Sequence, residues 1–340
     1  MQSSSQLFPV QLVSAEVVGS LFEDIYLLKP NNSPDRTVEL AVTRISRKHN
    51  SVNHPQHGEP VILLHGAFSN RRHWLSPDGA GVAAYLVEAG FDVWIPEMRG
   101  HGLSPVNEDY SGNSLDKVVE YDLPAIHKFI IEQTGKNISY IAEGMGGFAI
   151  LTAMEISAIQ QKTVSGCIYI EEETPLSSYL SERILTKNAL WRWKKQGVIS
   201  GRKVGLGSEN ESYETVKQYL YWKSRASFNT PAGLSLENGF GQIDVPAMVV
   251  STSSDEKQAV AKNAKWIFDQ LSGNSKTFKR YDYCQYQAQP AYKEGGRTIY
   301  PGKNGCWGDV VHWLRLHGRT VKEQQHRLHY NQRVSEEVAV

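Results

Sequence analysis

The chain has 340 residues, enough for one large α/β domain carrying an insertion, and 40% of them are apolar, enough to bury a sizeable core. Lys plus Arg and Asp plus Glu stand at 36 each, so charge gives no reason to expect nucleic acid or an anionic membrane surface as a partner. Cys167, Cys284 and Cys306 form neither a zinc spacing nor a disulfide framework, and no segment reaches the roughly 20 apolar residues of a membrane-spanning helix.

Met1–Val18 lacks a basic segment followed by an apolar run and does not read as a signal peptide. With an odd cysteine count, this points to a soluble cytoplasmic protein whose thiols are small buried hydrophobes. Two β-rich runs, near Val17–Leu28 and Val38–Ile45, flank the turn-rich Pro30–Asp35 and predict a hairpin. The polar loop Arg47–Pro60 follows.

Val61–Leu64 is a continuous apolar run, as expected of a strand buried on both faces, and it ends in His65-Gly66. A helix is expected near Gly79–Ala89, and a strand over Phe91–Ile95 ending in Pro96. Residues 114–134 read as one or two helices, with Asp122 a candidate cap before Pro124 and Gly135 closing the segment. Ile138–Ala142 is a buried strand, Gly146–Met154 starts a helix, and Gly166–Ile170 is the next strand.

This alternation predicts a mostly parallel sheet covered on both sides. It stops at 176–242, a Trp-, Tyr-, Lys- and Gly-rich stretch with weak helical periodicity that reads as an insertion over the sheet. Its aromatics, Trp191, Trp193, Tyr219, Tyr221 and Trp222, either line an acyl pocket or form the insertion's own core. Lys203–Glu211 is Gly-rich but has no phosphate-binding pattern and is assigned no phosphate role. A strand at Ala247–Ser251, a helix through Val260–Leu271, a strand at Thr277–Tyr283 and a helix through Trp307–Leu314 complete the fold. The expected organisation is an α/β core of 1–175 and 243–317, a cap of 176–242, and a polar tail of 318–340.

Three segments carry a resemblance: VILLHGAFS at Val61–Ser69, FDVWIPEMRGHGLS at Phe91–Ser104, and YDLPAIHKFIIEQTGKNISYIAEGMGG at Tyr121–Gly147. In this order and spacing the chain resembles the α/β-hydrolase superfamily over about residues 38–316. The Tyr-Asp-Leu-Pro segment points within it to acid-lipase-like bacterial hydrolases. The resemblance implies an α/β-hydrolase fold with a strand ending in G-x-S-x-G, whose sharp turn lifts a serine hydroxyl above the sheet.

Here Gly144 stands where that serine would be, while Gly146 and Gly147 keep the close strand–helix packing. Such a turn costs a non-glycine residue about 1–3 kcal/mol, which Gly144 relieves. The resemblance places the triad acid at Asp255 and the histidine near Gln285, or in another register nearer Trp307. No histidine occurs between His127 and His312, and His312 reads as a helix-face residue beside Trp313. Loss of both hydroxyl and imidazole removes acyl-enzyme chemistry.

The oxyanion donors that the resemblance implies are backbone amides, of Ala67 or Phe68 and of Met145. His65 and His101 are expected to hold their loops. Glu143, next to the elbow position, either bonds nearby backbone or a side chain, or serves as a new acid or base with Asp255. Glu171–Glu173 reads as a solvated loop rather than a cation site. Ser253, Ser254 or Cys284 as a replacement nucleophile has no predicted histidine to activate it. The expectation is therefore a non-catalytic lipase- or esterase-like protein with no cofactor and no metal. It would bind an acyl, ester or other small apolar ligand, or use the same surface for a protein partner. The competing expectation is a carbonyl-directed enzyme using Glu143 and Asp255.

Overall fold

The computed structural model describes residues 4–19, 21–47, 58–172, 185–225, 228–229, 235–236, 240–252, 258–281 and 306–318. Strands β1 (Val10–Val18), β2 (Leu21–Leu28) and β3 (Leu40–Arg47) lead into β4 (Pro60–Leu64), helix α1 (Val82–Glu88) and β5 (Asp92–Pro96). Helix α2 (Leu123–Thr134), β6 (Ile138–Glu143), α3 (Gly144–Glu155) and β7 (Val164–Glu172) follow. Then come α4 (Leu185–Gln196), the short strands β8 (Val198–Ser200) and β9 (Asn210–Ser212), and α5 (Tyr213–Arg225). Strand β10 (Ala247–Thr252), α6 (Gln258–Gln270), β11 (Lys276–Tyr281) and α7 (Cys306–His317) close the described fold.

The nine-stranded sheet runs β1-β2-β3-β5-β4-β6-β7-β10-β11, antiparallel from β1 to β5 and parallel from β5 onward. Alternation along each central strand divides its apolar residues between two cores. Ile62, Leu64, Trp94, Tyr140, Ala142, Tyr169 and Val249 face one side, with α2, α3 and α6. Val61, Leu63, Val93, Ile141, Ile168 and Val250 face the other, with α1 and α7. This is the two-sided burial that unbroken apolar runs imply.

The predicted hairpin is the β2–β3 pair, but the first strand was not anticipated. β1 is an edge strand, mostly exposed and bulged between Leu12 and Ser14, so no clean period marks it. The stretch 115–134 is a helical turn, a π-helical turn over Val118–Asp122, and α2, which Gly135 ends at φ +66°. Asp122 is not a side-chain cap. Its backbone is already helical, and its carboxylate accepts from Arg99 Nε and Nη2 at 2.7 and 2.6 Å in a buried bidentate pair.

His127 of α2 is held neutral. Thr163 Oγ1 donates to the Gln160 carbonyl at 2.6 Å, so His127 Nε2–H must donate to Thr163 Oγ1, 2.8 Å away. That leaves Nδ1 to accept from the Tyr140 hydroxyl at 2.5 Å. Burial, aided by Lys128, lowers the His127 pKa to about 4 from 6.5. The unfolded chain therefore binds a proton that the folded chain refuses, and stability is lost as pH falls from 6.5 towards about 4. Replacing His127 by glutamine should flatten the fall in unfolding free energy across this window by up to about 1.4 kcal/mol per pH unit. Urea titrations at several pH values check this; an unchanged slope would contradict it.

Candidate functional site

β6 is buried along its whole length and runs directly into α3, so the chain reverses within one residue. That residue is Gly144, at φ +48°, where an added Cβ would meet nothing closer than the Tyr219 hydroxyl at 4.0 Å. The space for a side chain remains; only the backbone conformation disfavours one. Gly146 and Gly147 differ. A Cβ on Gly146 would run into the His65 carbonyl, and one on Gly147 into the Tyr169 ring. These two glycines set how closely α3 approaches β4 and β7.

The loop after β4 is fixed from within. Met98 N–H donates to His65 Nε2 at 3.2 Å, so the ring proton sits on Nδ1 and reaches the Gly66 carbonyl at 2.8 Å. Burial, with smaller effects from His101 and His73, lowers the His65 pKa to about 3, so the imidazole is neutral. His101 stacks edge-on to His65 at 5.3 Å and places Nε2 2.8 Å from the Asn210 carbonyl. Both histidines thus hold backbone.

Of the three expected oxyanion amides, Phe68 N–H is already committed. It donates to Glu211 Oε1 at 3.1 Å, so an oxyanion there would have to displace a carboxylate. Ala67 is half-buried and Met145 buried, the latter in the first turn of α3, where backbone amides have no helical acceptor.

Glu143, also buried, places Oε2 2.7 Å from His73 Nε2 and Oε1 3.4 Å from where a Gly66 Cβ would be. His73 ends the turn Arg71–His73, which Asn70 caps by accepting from Arg72 N–H at 2.8 Å. Glu171 is not in a solvated loop. β7 extends through it, it is buried, and its carboxylate accepts from the Tyr169 hydroxyl. Glu173 lies outside the described residues, as do Asp255, Gln285, Ser253, Ser254 and Cys284. His312 is an exposed position of α7, and Trp307 is buried in the same helix.

The aromatics of 176–242 divide. Tyr219 and Trp222 of α5 pack on Phe148 of α3 at 6.1 and 6.3 Å, and Trp193 is buried too. Trp191 and Tyr221 are exposed. The sequence gives no reading for His73, and it covers Glu211 only as the last residue of the Gly-rich stretch Lys203–Glu211. Glu211 is the middle residue of the three-residue strand β9, too short to carry a sequence signal of its own.

The model of the alpha/beta hydrolase family matches residues 61–284, more than half the chain, and the chain belongs to that family. Over 140 residues it is 31% identical to the tear acid lipase-like protein of Mesocricetus auratus, covering 38% of this chain and 35% of that protein. Over 116 residues it is 32% identical to the gastric triacylglycerol lipase of Bos taurus, covering 32% and 29% respectively. The matched segments thus span about a third of these relatives. A soluble variant of monoglyceride lipase from Saccharomyces cerevisiae superposes with a TM-score of 0.56 at 13% identity, over 86% of this chain and 98% of that one. An acetyl xylan esterase from Paenibacillus sp. R4 superposes with a TM-score of 0.50 at 12% identity, over 81% and 83%. The protein is an α/β hydrolase resembling lipases and esterases. Among the described residues, no helix is long and apolar enough to cross a membrane.

The two kinds of glycine predict different costs. Gly144→Ala should lower stability by about 1–2 kcal/mol, the cost of a left-handed backbone on an L-residue. Gly146→Ala should cost more than 3 kcal/mol, by roughly the scale of core overpacking added to backbone displacement. Denaturant unfolding of both variants checks this, and equal costs would contradict the assignment.

Proposed function

We propose that this protein is a lipase-like α/β hydrolase without serine chemistry, which binds an acyl, ester or other small apolar ligand and does not turn it over. The observation that carries the reading is Gly144, at φ +48° on the strand-to-helix turn, where the family resemblance expects the nucleophile. A hydrogen in place of Oγ leaves nothing to form an acyl-enzyme. The lack of any histidine between His127 and His312 supports the same reading, since residue 285, the proposed histidine position, is glutamine. The proposed triad acid is Asp255, and the proposed oxyanion donors are the amides of Ala67 and Met145.

In this reading 176–242 is a cap over a core of 1–175 and 243–317. Packing of Tyr219 and Trp222 on Phe148 supports it. The same surface is the proposed seat of a protein partner, if the ligand is a segment of one. Buried Cys167 and Cys306 support a cytoplasmic location.

One observation favours a second reading. Glu143 and His73 form a buried pair at 2.7 Å beside Gly144, which could act as a general base on a carbonyl compound. The proposed partnership of Glu143 with Asp255 belongs to this second reading as well.

Hydrolysis of p-nitrophenyl esters of short to long acyl chain, by wild type and by the Gly144→Ser/Gln285→His double variant, separates the readings. The proposal expects no turnover by wild type and measurable turnover by the variant. Wild-type turnover abolished by Glu143→Gln would overturn it in favour of the second reading.

A further inference from the structure

The β8–β9 hairpin grips one residue of the loop after β4. Phe68 N–H donates to Glu211 Oε1 at 3.1 Å, and Phe68 O accepts from Glu209 N–H at 3.0 Å. The Glu209 side chain also accepts from Asn70 Nδ2. Gly201 and Gly207 admit the ring and carbonyl of Phe68, since a Cβ on either would press on them. Phe68 itself holds φ +57°, a conformation that a bulky residue keeps only when its surroundings impose it.

Glu211 is 3% exposed, and its nearest cation-forming neighbour, His101 Nε2, stands 3.5 Å away while also lying 2.8 Å from the Asn210 carbonyl. A carboxylate offers about four acceptor sites. Here it is taken from water for one amide and one distant imidazole. Such a group is expensive to bury, and burial accordingly raises its pKa. Its place is better explained by what it occupies than by what it stabilises: a backbone amide of the loop that the family resemblance assigns to the acyl oxygen.

We propose that Glu211 is a tethered carboxylate plug, and that a free carboxylic acid binds this loop by taking the Phe68 amide from it and withdrawing the β8–β9 hairpin. The inference rests on the ligand-binding reading above and names the ligand class: an aliphatic carboxylate in preference to its neutral ester. The exchange is of one carboxylate for another and makes or breaks no covalent bond.

The test uses the full chain with octanoate and methyl octanoate as probes, read by calorimetry and by hydrogen exchange of residues 198–212. Glu211→Ala should bind octanoate at least about tenfold more tightly than wild type, as when an intramolecular competitor is removed. Its affinity for methyl octanoate should be unchanged. Glu211→Gln, which keeps an acceptor for the amide, should stay near wild type. Saturating wild type with octanoate should speed exchange in 198–212, a readout that does not depend on the variants folding. Octanoate binding that leaves that exchange unchanged, or equal affinity for octanoate and its ester in every form, overturns the plug and leaves the ligand-binding reading standing. Failure of both probes to bind any form overturns both. Wild-type turnover of p-nitrophenyl octanoate overturns only the non-catalytic reading.

Discussion

Helix α3 lies so close to β4 and β7 that its first turn has no room for side chains at Gly146 and Gly147. That approach dictates the rest of the site. It forces β6 to end abruptly at Glu143 and fixes a positive φ at Gly144. It sets the His65 carbonyl and the Tyr169 ring against the helix. In a protein that needs a nucleophile, this turn presents one at the price of backbone strain. Here the two glycines required by packing are present, and the position whose side chain only chemistry would require is also glycine. On the proposed reading, the architecture and its catalytic use are separable at a single residue.

Acids crowd the carboxyl ends of the strands and the loop beside them, and Glu97, Glu143, Glu171 and Glu211 each have a partner. Glu97 accepts from the amides of Arg71 and Leu103, both at 3.0 Å. Burial nonetheless raises its pKa, as it does for Glu211. Glu143 is paired with His73, Glu171 accepts from Tyr169, and Glu211 accepts from Phe68. Desolvated carboxylates are tolerated only with such partners. Among them Glu211 spends its hydrogen bond on an amide of the loop after β4.

Much of this was legible in the sequence because buried parallel strands announce themselves as apolar runs. Val61–Leu64, Ile138–Ala142 and Ala247–Ser251 each needed no long-range information. The strand-to-helix turn was legible for the same reason, since Gly144, Gly146 and Gly147 follow one of those runs directly. β1 was missed because an exposed, bulged edge strand has no hydrophobic period. Asp122 was misread as a cap because its partner, Arg99, is 23 residues away. Glu171 was misread as solvated because its partner is the Tyr169 hydroxyl on the same strand face. Glu211 and His73 carry no local signal: one acts on a residue 143 positions earlier, and the other, at the end of a short turn, meets the last residue of β6.

The central claim is that no side chain here acts as an activated nucleophile, and a fluorophosphonate is its most direct probe, since it phosphonylates such a group irreversibly. Intact-mass measurement of wild-type protein after prolonged exposure should give the unmodified mass of the chain. A stoichiometric adduct, mapped by peptide sequencing to any residue near the elbow, would show a nucleophile at work and contradict the account.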